Sequence, residues 1–338
     1  MKSEVPNYFR SIFRYGIGIL LGGVLLYFAL RDISLDTLAD QLANVHYEWI
    51  LAGSIAALGS HWLRGYRWKM LFEATGAFNL STTHAFWAVM VGYMVNNAFP
   101  RLGEVTRCSI LLKSNNIPLA ISAGTVLVER AIDLISLLLL IFLLLILELN
   151  NIRNIILLNI QSIDYISYQN FIFFFLALVV FTIFLAYGIY RYRDSLRKIK
   201  LFDRVYVFLI SLLQAVASTK RIRNPTAFVL TTVLIWLGYI LAIYFVFLAL
   251  PQYSEYPTLN LYFAFIVTVV SGIAMTLPVP GGIGTFHSAV KMTFWAYGIS
   301  NGLGEITAII AHTTENLILN TIFGLIGYFY LLFGSRQK

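Results

Sequence analysis

Long apolar runs, separated by short polar segments, set out this chain. A helix needs roughly 20 mostly apolar residues to cross a bilayer, and several runs approach or exceed that length. They are Tyr15 to Leu30, Trp49 to Leu63 (closed by Arg64), Ile117 to Leu147, Phe171 to Tyr190, Thr226 to Leu250 and Ile306 to Phe333. Two further stretches are apolar but interrupted. Ser81 to Pro100 runs into Arg101-Leu102-Gly103-Glu104, and Leu259 to Leu277 runs into Pro278-Val279-Pro280-Gly281-Gly282-Ile283-Gly284. Pro and Gly end or break helices, so each stretch predicts a broken or re-entrant hairpin. Residues 199–217 differ again. Phe202, Val205, Tyr206, Leu209, Leu212, Leu213 and Val216 recur at helical spacing, with Lys200, Asp203, Arg204 and Gln214 elsewhere. That pattern predicts an amphipathic helix lying on a membrane surface.

Composition settles what the runs mean. Of 338 residues, 59% are apolar and only 12% are charged, against about 25% charged in an ordinary soluble domain. Mean hydropathy is +0.77. There is too little charge to cover a water-facing surface, which excludes a soluble enzyme, a disordered chain and a disulfide scaffold. Cys108 is the single cysteine and cannot form an internal disulfide. The first run follows Lys2, Arg10 and Arg14 but ends Phe28-Ala29-Leu30-Arg31, with no small-residue cleavage site. It therefore reads as an uncleaved span.

The net charge of +8 reads first as topology, because Lys and Arg concentrate in cytoplasmic loops. The N-terminus, the loop carrying Arg64, Arg67 and Lys69, and the C-terminus with Arg336 and Lys338 read as inside. So does 191–225, with Arg191, Arg193, Arg197, Lys198, Lys200, Arg204, Lys220, Arg221 and Arg223. Segments 31–48, 148–169 and 251–258 are poor in Lys and Arg and read as outside. Parity then requires 81–113 to enter and leave on the cytoplasmic side, and 259–300 to enter and leave on the outer side. Broken backbone at membrane depth is tolerated only where protein or a water-filled cavity surrounds it.

The expected fold class is thus an all-α polytopic integral membrane protein with cytoplasmic termini. It reads as an inverted repeat of two halves, each with three spans and a re-entrant or broken hairpin. The whole of 1–338 forms one membrane domain. Residues 1–150 are the first half, 151–225 an outer loop, a span and a cytoplasmic linker helix, and 226–338 the remainder of the second half. Weak echoes support the repeat: Pro100-Arg101-Leu102-Gly103 faces Pro278 and its glycines, and Val128-Glu129-Arg130 faces Thr314-Glu315-Asn316.

A charge inside a span is costly, on the order of 2.5–3.5 kcal/mol on insertion scales, so the charges that topology does not explain mark the candidate site. Glu129, Arg130 and Asp133 lie inside the run 117–147. Glu129 and Asp133 share a helical face, and Arg130 can reach Asp133. Arg101, Glu104 and Arg107 follow the first break at helical spacing, with Asn96 and Asn97 just before it. Two guanidinium groups on one side suit a phosphate or another anion, and a helix N-terminus aimed there adds to the attraction. In the second hairpin, Gly281, Gly282 and Gly284 form a turn whose backbone N–H groups could hold an anion. His287 and Lys291 follow, and His312, Glu315, Asn316 and Asn320 form a polar stripe on the last span. No metal-ligand set, cofactor fingerprint or catalytic constellation stands out. Arg64 and Arg67 read as interfacial anchors, and no nucleic-acid partner is expected.

Three segments together resemble a known family. They are Asn96-Asn97-Ala98-Phe99-Pro100-Arg101-Leu102-Gly103-Glu104-Val105-Thr106-Arg107, Val128-Glu129-Arg130-Ala131-Ile132-Asp133 and Leu277-Pro278-Val279-Pro280-Gly281-Gly282-Ile283-Gly284. The chain is similar to the membrane region of lysylphosphatidylglycerol synthases and to the stand-alone UPF0104 flippase-like group, over nearly its whole length. The resemblance implies translocation of lipids with large polar head groups across the bacterial inner membrane. It does not extend to an aminoacyltransferase domain, so aminoacyl transfer is not implied. The chain carries His287 where family members often have an acidic residue, and Glu315-Asn316 near a position where they often have a basic one.

The expectation from sequence is a lipid flippase or transporter for a polar, anionic or lipid-linked substrate in the bilayer. Asn96, Asn97, Arg101, Glu104, Arg107, Glu129, Arg130, Asp133, Gly281, Gly282, Gly284, His287, Lys291, His312, Glu315 and Asn316 are its candidate substrate-binding residues. Glu104, Glu129 and Asp133 either balance the arginines or carry a coupling proton. Two alternatives stay open: a membrane enzyme using the carboxylates as acid and base on a lipid-linked substrate, and an accessory subunit of an envelope enzyme. A homo-oligomer is compatible with each.

Overall fold

In a computed structural model of the protein, residues 42–76, 78–148 and 219–334 are described. The runs at 15–30 and 171–190 and the amphipathic segment 199–217 lie outside them. Among the described residues the secondary structure is entirely helical. The helices are α1 (Tyr47–Thr75), α2 (Thr82–Ala98), α3 (Leu102–Asn115), α4 (Leu119–Leu147), α5 (Pro225–Ala249), α6 (Leu261–Ala274), α7 (Thr285–Ala296), α8 (Asn301–Ala311) and α9 (Asn320–Phe329). A π-helical segment, His312–Leu319, joins α8 to α9, so that Gly302–Phe333 is one apolar run of 32 residues. By contacts, the described residues up to Leu137 and those from Ser218 onward belong to one compact unit; Leu138–Ala217 form another, of which only the end of α4 is described.

Local sequence explains where helices start. Ser81, Asn224 and Asn260 each accept a hydrogen bond from a first-turn amide, of His84, Ala227 and Phe263 respectively. Each side chain satisfies an amide that the helix cannot. Pro225 sits in the first turn of α5, where its missing N–H costs nothing. Gly76, in the left-handed conformation, closes α1.

Helix length separates two classes. Leu119–Leu147, Pro225–Ala249 and Gly302–Phe333 are long and apolar enough to cross a membrane. At about 1.5 Å per residue, α3, α6 and α7 reach only about 18–21 Å, well under a hydrocarbon core of about 30 Å. They are the arms of the two interrupted stretches, so the expected breaks are present. In the first, Phe99–Arg101 separates α2 from α3, and Arg101 takes a left-handed conformation at φ 66°. In the second, Met275–Gly284 separates α6 from α7, with Gly281 at φ 57°.

One expectation needs correction. The second span does not stop at Arg64: α1 continues as a 29-residue helix to Thr75. Arg64, Arg67 and Lys69 therefore lie on a helix and not in a loop. Arg64 and Arg67 are buried on it, Arg67 completely.

The distribution of polarity is that of a membrane protein. Large apolar side chains stand exposed along the outer faces: Leu51, Ile55 and Trp62 on α1, Val229, Leu230 and Val233 on α5, and Ile322, Leu325 and Ile326 on α9. Arg64, Arg67, Arg107, Glu129, Glu305, His312 and Asn320 are inside. In water this arrangement would be an aggregation hazard; in lipid it exposes what lipid tolerates and hides what it does not.

The interior is assembled by close helix pairs. α1 packs on α5, and α2 packs on α1, α3 and α9. The α2–α3 arms meet at Gly92 and Gly103, where a Cβ on Gly103 would lie 2.0 Å from the Gly92 carbonyl oxygen. Small residues let backbones approach this closely, as is common between membrane helices. The Asn96 side chain fills the remaining gap by accepting a hydrogen bond from the Gly103 amide at 2.8 Å.

Candidate functional site

Two regions converge on one cavity of about 530 Å³. The first is a network of ions. Arg64 on α1 donates from Nη1 to Glu129 at 2.9 Å and to Asp133 at 2.6 Å, bridging two carboxylates one helical turn apart on α4. Arg67, one turn below Arg64, hydrogen-bonds the other oxygen of Asp133. Arg107 on α3 pairs with Glu129 at 2.9 Å, its guanidinium 4.5 Å from the Trp68 ring centre. Trp68 is itself held by a 3.0 Å bond to Thr125 on α4. Arg130 pairs with Glu104 at 3.0 Å and lies 3.9 Å from Asp133. The hydroxyls of Tyr239 and Thr232, on α5, accept further bonds from Arg64 and Arg67. Three helices, α1, α3 and α4, are thereby tied by charge, and α5 is joined to them through its hydroxyls.

The sum of these charges matters more than any pair. Arg64, Arg67, Arg107 and Arg130 face Glu104, Glu129 and Asp133, so four guanidinium groups meet three carboxylates. One positive charge is left over, and N–H groups of Arg67, Arg107 and Arg130 have no hydrogen-bond partner among the described residues. Arg101 adds a second. It lies exposed at the first break, lines the cavity, and pairs with no acidic group among the described residues.

The second region is held by hydrogen bonds. The Gly281 carbonyl can only accept, so His312 Nε2 carries the hydrogen of the 2.7 Å bond between them. His287 Nδ1 accepts from the Gly284 amide at 3.4 Å, and the two imidazole rings lie 4.8 Å apart. Two histidines, from α7 and the π segment, therefore pin the glycine turn. The amides of Gly282 and Ile283 are also engaged, by Val279 and Pro280. With those amides and that of Gly284 occupied, the turn offers little free backbone N–H to an anion. Gly281 lies close to Asn97 at the end of α2, and Asn97 donates to the Asn316 carbonyl at 2.7 Å, joining α2 to the π segment.

The cavity lining includes Asn96, Asn97, Arg101, Glu104, Arg130 and Asp133 from the first region. Gly281, Gly282, Glu315 and Asn316 come from the second. These are ten of the residues that sequence reasoning singled out. Arg107 and Glu129 are outside the lining and paired with each other, while Arg101 is in it, so the two arginines do not form a common fork. Gly284, His287 and His312 support the turn without reaching the cavity. Lys291 is elsewhere, paired with the buried Glu305 of α8. Sequence reasoning missed Arg64 as a lining residue, along with His61, Tyr93, Trp236 and Tyr239. Arg64 lay at the end of an apolar run, where topology already accounted for it; the aromatic residues carried no signal within apolar helices. Among the described residues no three His, Cys, Asp or Glu side chains gather as a metal site.

Apolar spans around a charged cavity define an integral membrane protein. The model of the lysylphosphatidylglycerol synthase TM region matches residues 16–324, and the chain belongs to that family. It is also similar to the UPF0104 membrane protein MJ1595 of Methanocaldococcus jannaschii, with 29% identity over 104 residues. That match covers 30% of this chain and 31% of the relative. No solved structure matches the chain.

Proposed function

We propose that the protein carries a lipid with an anionic head group across the bacterial inner membrane. The observation behind this reading is the charge balance at the cavity. Four guanidinium groups against three carboxylates, with Arg101 and Glu315 also in the lining, leave at least one positive charge uncompensated. A phosphodiester supplies that charge, and guanidinium forks match its geometry. The lipid tails stay among the exposed apolar faces while the head group enters between the two breaks. The family, described by a lysylphosphatidylglycerol synthase membrane region, supports a lipid substrate.

The architecture fits alternating access. In sequence order a long helix, a broken pair of short helices and a long helix occur at 47–147 and again at 225–334. We read them as inverted halves, with both broken pairs re-entrant and meeting near the bilayer midplane. Both termini and the loop 191–225 are placed in the cytoplasm. Labelling single cysteines at 195 and 254 in a Cys108→Ala background tests this, since the two must react from opposite sides.

The functional test uses proteoliposomes containing fluorescent phosphatidylglycerol or fluorescent phosphatidylcholine. Faster movement of the anionic probe, slowed by Glu129→Ala, is the expected result. Rates equal to protein-free vesicles across a broad lipid panel overturn the reading.

A further inference from the structure

The carboxylates expected from sequence to carry a coupling proton are Glu104, Glu129 and Asp133, and each of them pairs with arginine. Each of the three is thus already committed to a guanidinium partner. Glu315 is different. It lines the same cavity, makes no ion pair among the described residues, and its Oε1 is shut off from solvent without a hydrogen-bond partner. An unpaired carboxylate in a membrane interior is costly, and a proton removes that cost.

Its setting is also unusual. Glu315 sits in the π-helical segment His312–Leu319, whose i→i+5 bonding widens the helix. Residues five apart then fall on one side, and both Glu315 and Asn320 line the cavity. The Asn320 Oδ1 is likewise buried and unpartnered, so it can accept a hydrogen bond from a protonated Glu315. The titratable and charged groups facing this side from the neighbouring helices are His61 and Arg64 of α1 and Tyr93 of α2, with Arg101 at the break. Arg64 is already committed to Glu129 and Asp133. From α8, Glu305 is held by Lys291, and His312 is held by Gly281.

We propose that Glu315 is a proton-binding site coupled to occupation of the cavity, so that an anionic head group and one proton enter together. This inference rests on the reading of the cavity as an anion-lipid site. The step is a simple protonation. While the cavity is empty, the surplus positive charge of Arg101 and the arginine network offsets the Glu315 carboxylate. An anion arriving beside Arg101 and Arg130 takes up that charge, the Glu315 carboxylate then takes a proton from the open side, and the pair crosses without net charge. Release of the anion on the far side lets the proton leave.

Two measurements test it, each on wild type and Glu315→Gln. In proteoliposomes carrying fluorescent phosphatidylglycerol, a proton gradient is expected to speed wild-type translocation severalfold in the direction of proton flow. Glu315→Gln is expected to show the same rate with and without the gradient. In weakly buffered detergent solution with a pH indicator, dihexanoyl-phosphatidylglycerol is expected to trigger uptake of about one proton per protein in wild type and none in Glu315→Gln. A monodisperse elution profile and retained binding of dihexanoyl-phosphatidylglycerol show that the variant is folded. Wild-type translocation that ignores the gradient overturns the proposal and leaves the transport reading intact. A gradient response that persists in Glu315→Gln also overturns it. Binding-linked proton uptake without translocation supports the proton site and overturns transport instead. Absence of both uptake and gradient response overturns the proton site outright.

Discussion

The two ends of the cavity solve the same problem by opposite means. On the first side, arginines and carboxylates are buried together, and Glu129, fully buried, is held by Arg64 and Arg107. On the second, around Gly281 and Glu315, the backbone is held by histidines and amides, and Glu315 has no ionic partner among the described residues. Charge that must stay put is compensated by charge. Charge that can come and go is left among neutral groups. In the proposed transport cycle the first side is the fixed one and the second the responsive one.

The largest expected effect breaks the fixed side. Glu129→Gln leaves Arg107 without its buried counter-charge and Arg64 with Asp133 alone, and removing one partner of a buried pair costs about 3–5 kcal/mol. Thermal unfolding in detergent should fall steeply. A midpoint within a degree of wild type would mean that the network contributes little to holding α1, α3 and α4 together. Second in size is Gly103→Ala. Its Cβ would meet the Gly92 carbonyl oxygen at 2.0 Å, forcing the α2 and α3 arms apart at a cost of about 1–3 kcal/mol. The same thermal assay reads it.

Arg101 sharpens the comparison from the substrate's side. A non-glycine residue in the left-handed region costs roughly 1–2 kcal/mol, and Arg101 is exposed with no pairing that would require it to stay. Arg101→Gly should therefore raise the unfolding midpoint by about 1 kcal/mol equivalent while slowing translocation of the anionic probe roughly tenfold, the worth of a charge-assisted hydrogen bond. Stability and transport moving in the same direction would remove Arg101 from the anion site. The smallest effect is on the second side. At Gly281, φ 57° with the nearest Asn97 atoms 3.5 Å away, Ala meets backbone strain but little crowding. The expected loss is about 1 kcal/mol, read by thermal unfolding.

Much of the architecture was legible in the sequence. The two breaks and the long helices after them occur at the expected places, because a run of apolar residues closed by Pro and Gly has few alternatives in a membrane. Glu129 and Asp133 stood out for the same reason, since a carboxylate inside an apolar helix must be compensated. Their partners were hidden. Arg64 and Arg67 sit just beyond an apolar run, where basic residues ordinarily mark the cytoplasmic face, and nothing local distinguishes a buried arginine there from an anchor. Arg101 and Arg107 looked like one fork at helical spacing. The left-handed turn at Arg101 instead separates them, sending one to the cavity and the other into the network.

The sequence by itself determined that the chain lives in a membrane, where its helices break, and which carboxylates lie within apolar helices. Those are consequences of how much polarity lipid tolerates and of the backbone limits of Pro and Gly, which act on each segment separately. Only the tertiary structure decided which arginine meets which carboxylate, that the glycine turn is closed by His287 and His312, and that Glu315 is the lining carboxylate without a partner. Pairing joins residues of separate helices across tens to hundreds of positions of chain, and the side a helix presents is chosen by its neighbours, not by its own composition.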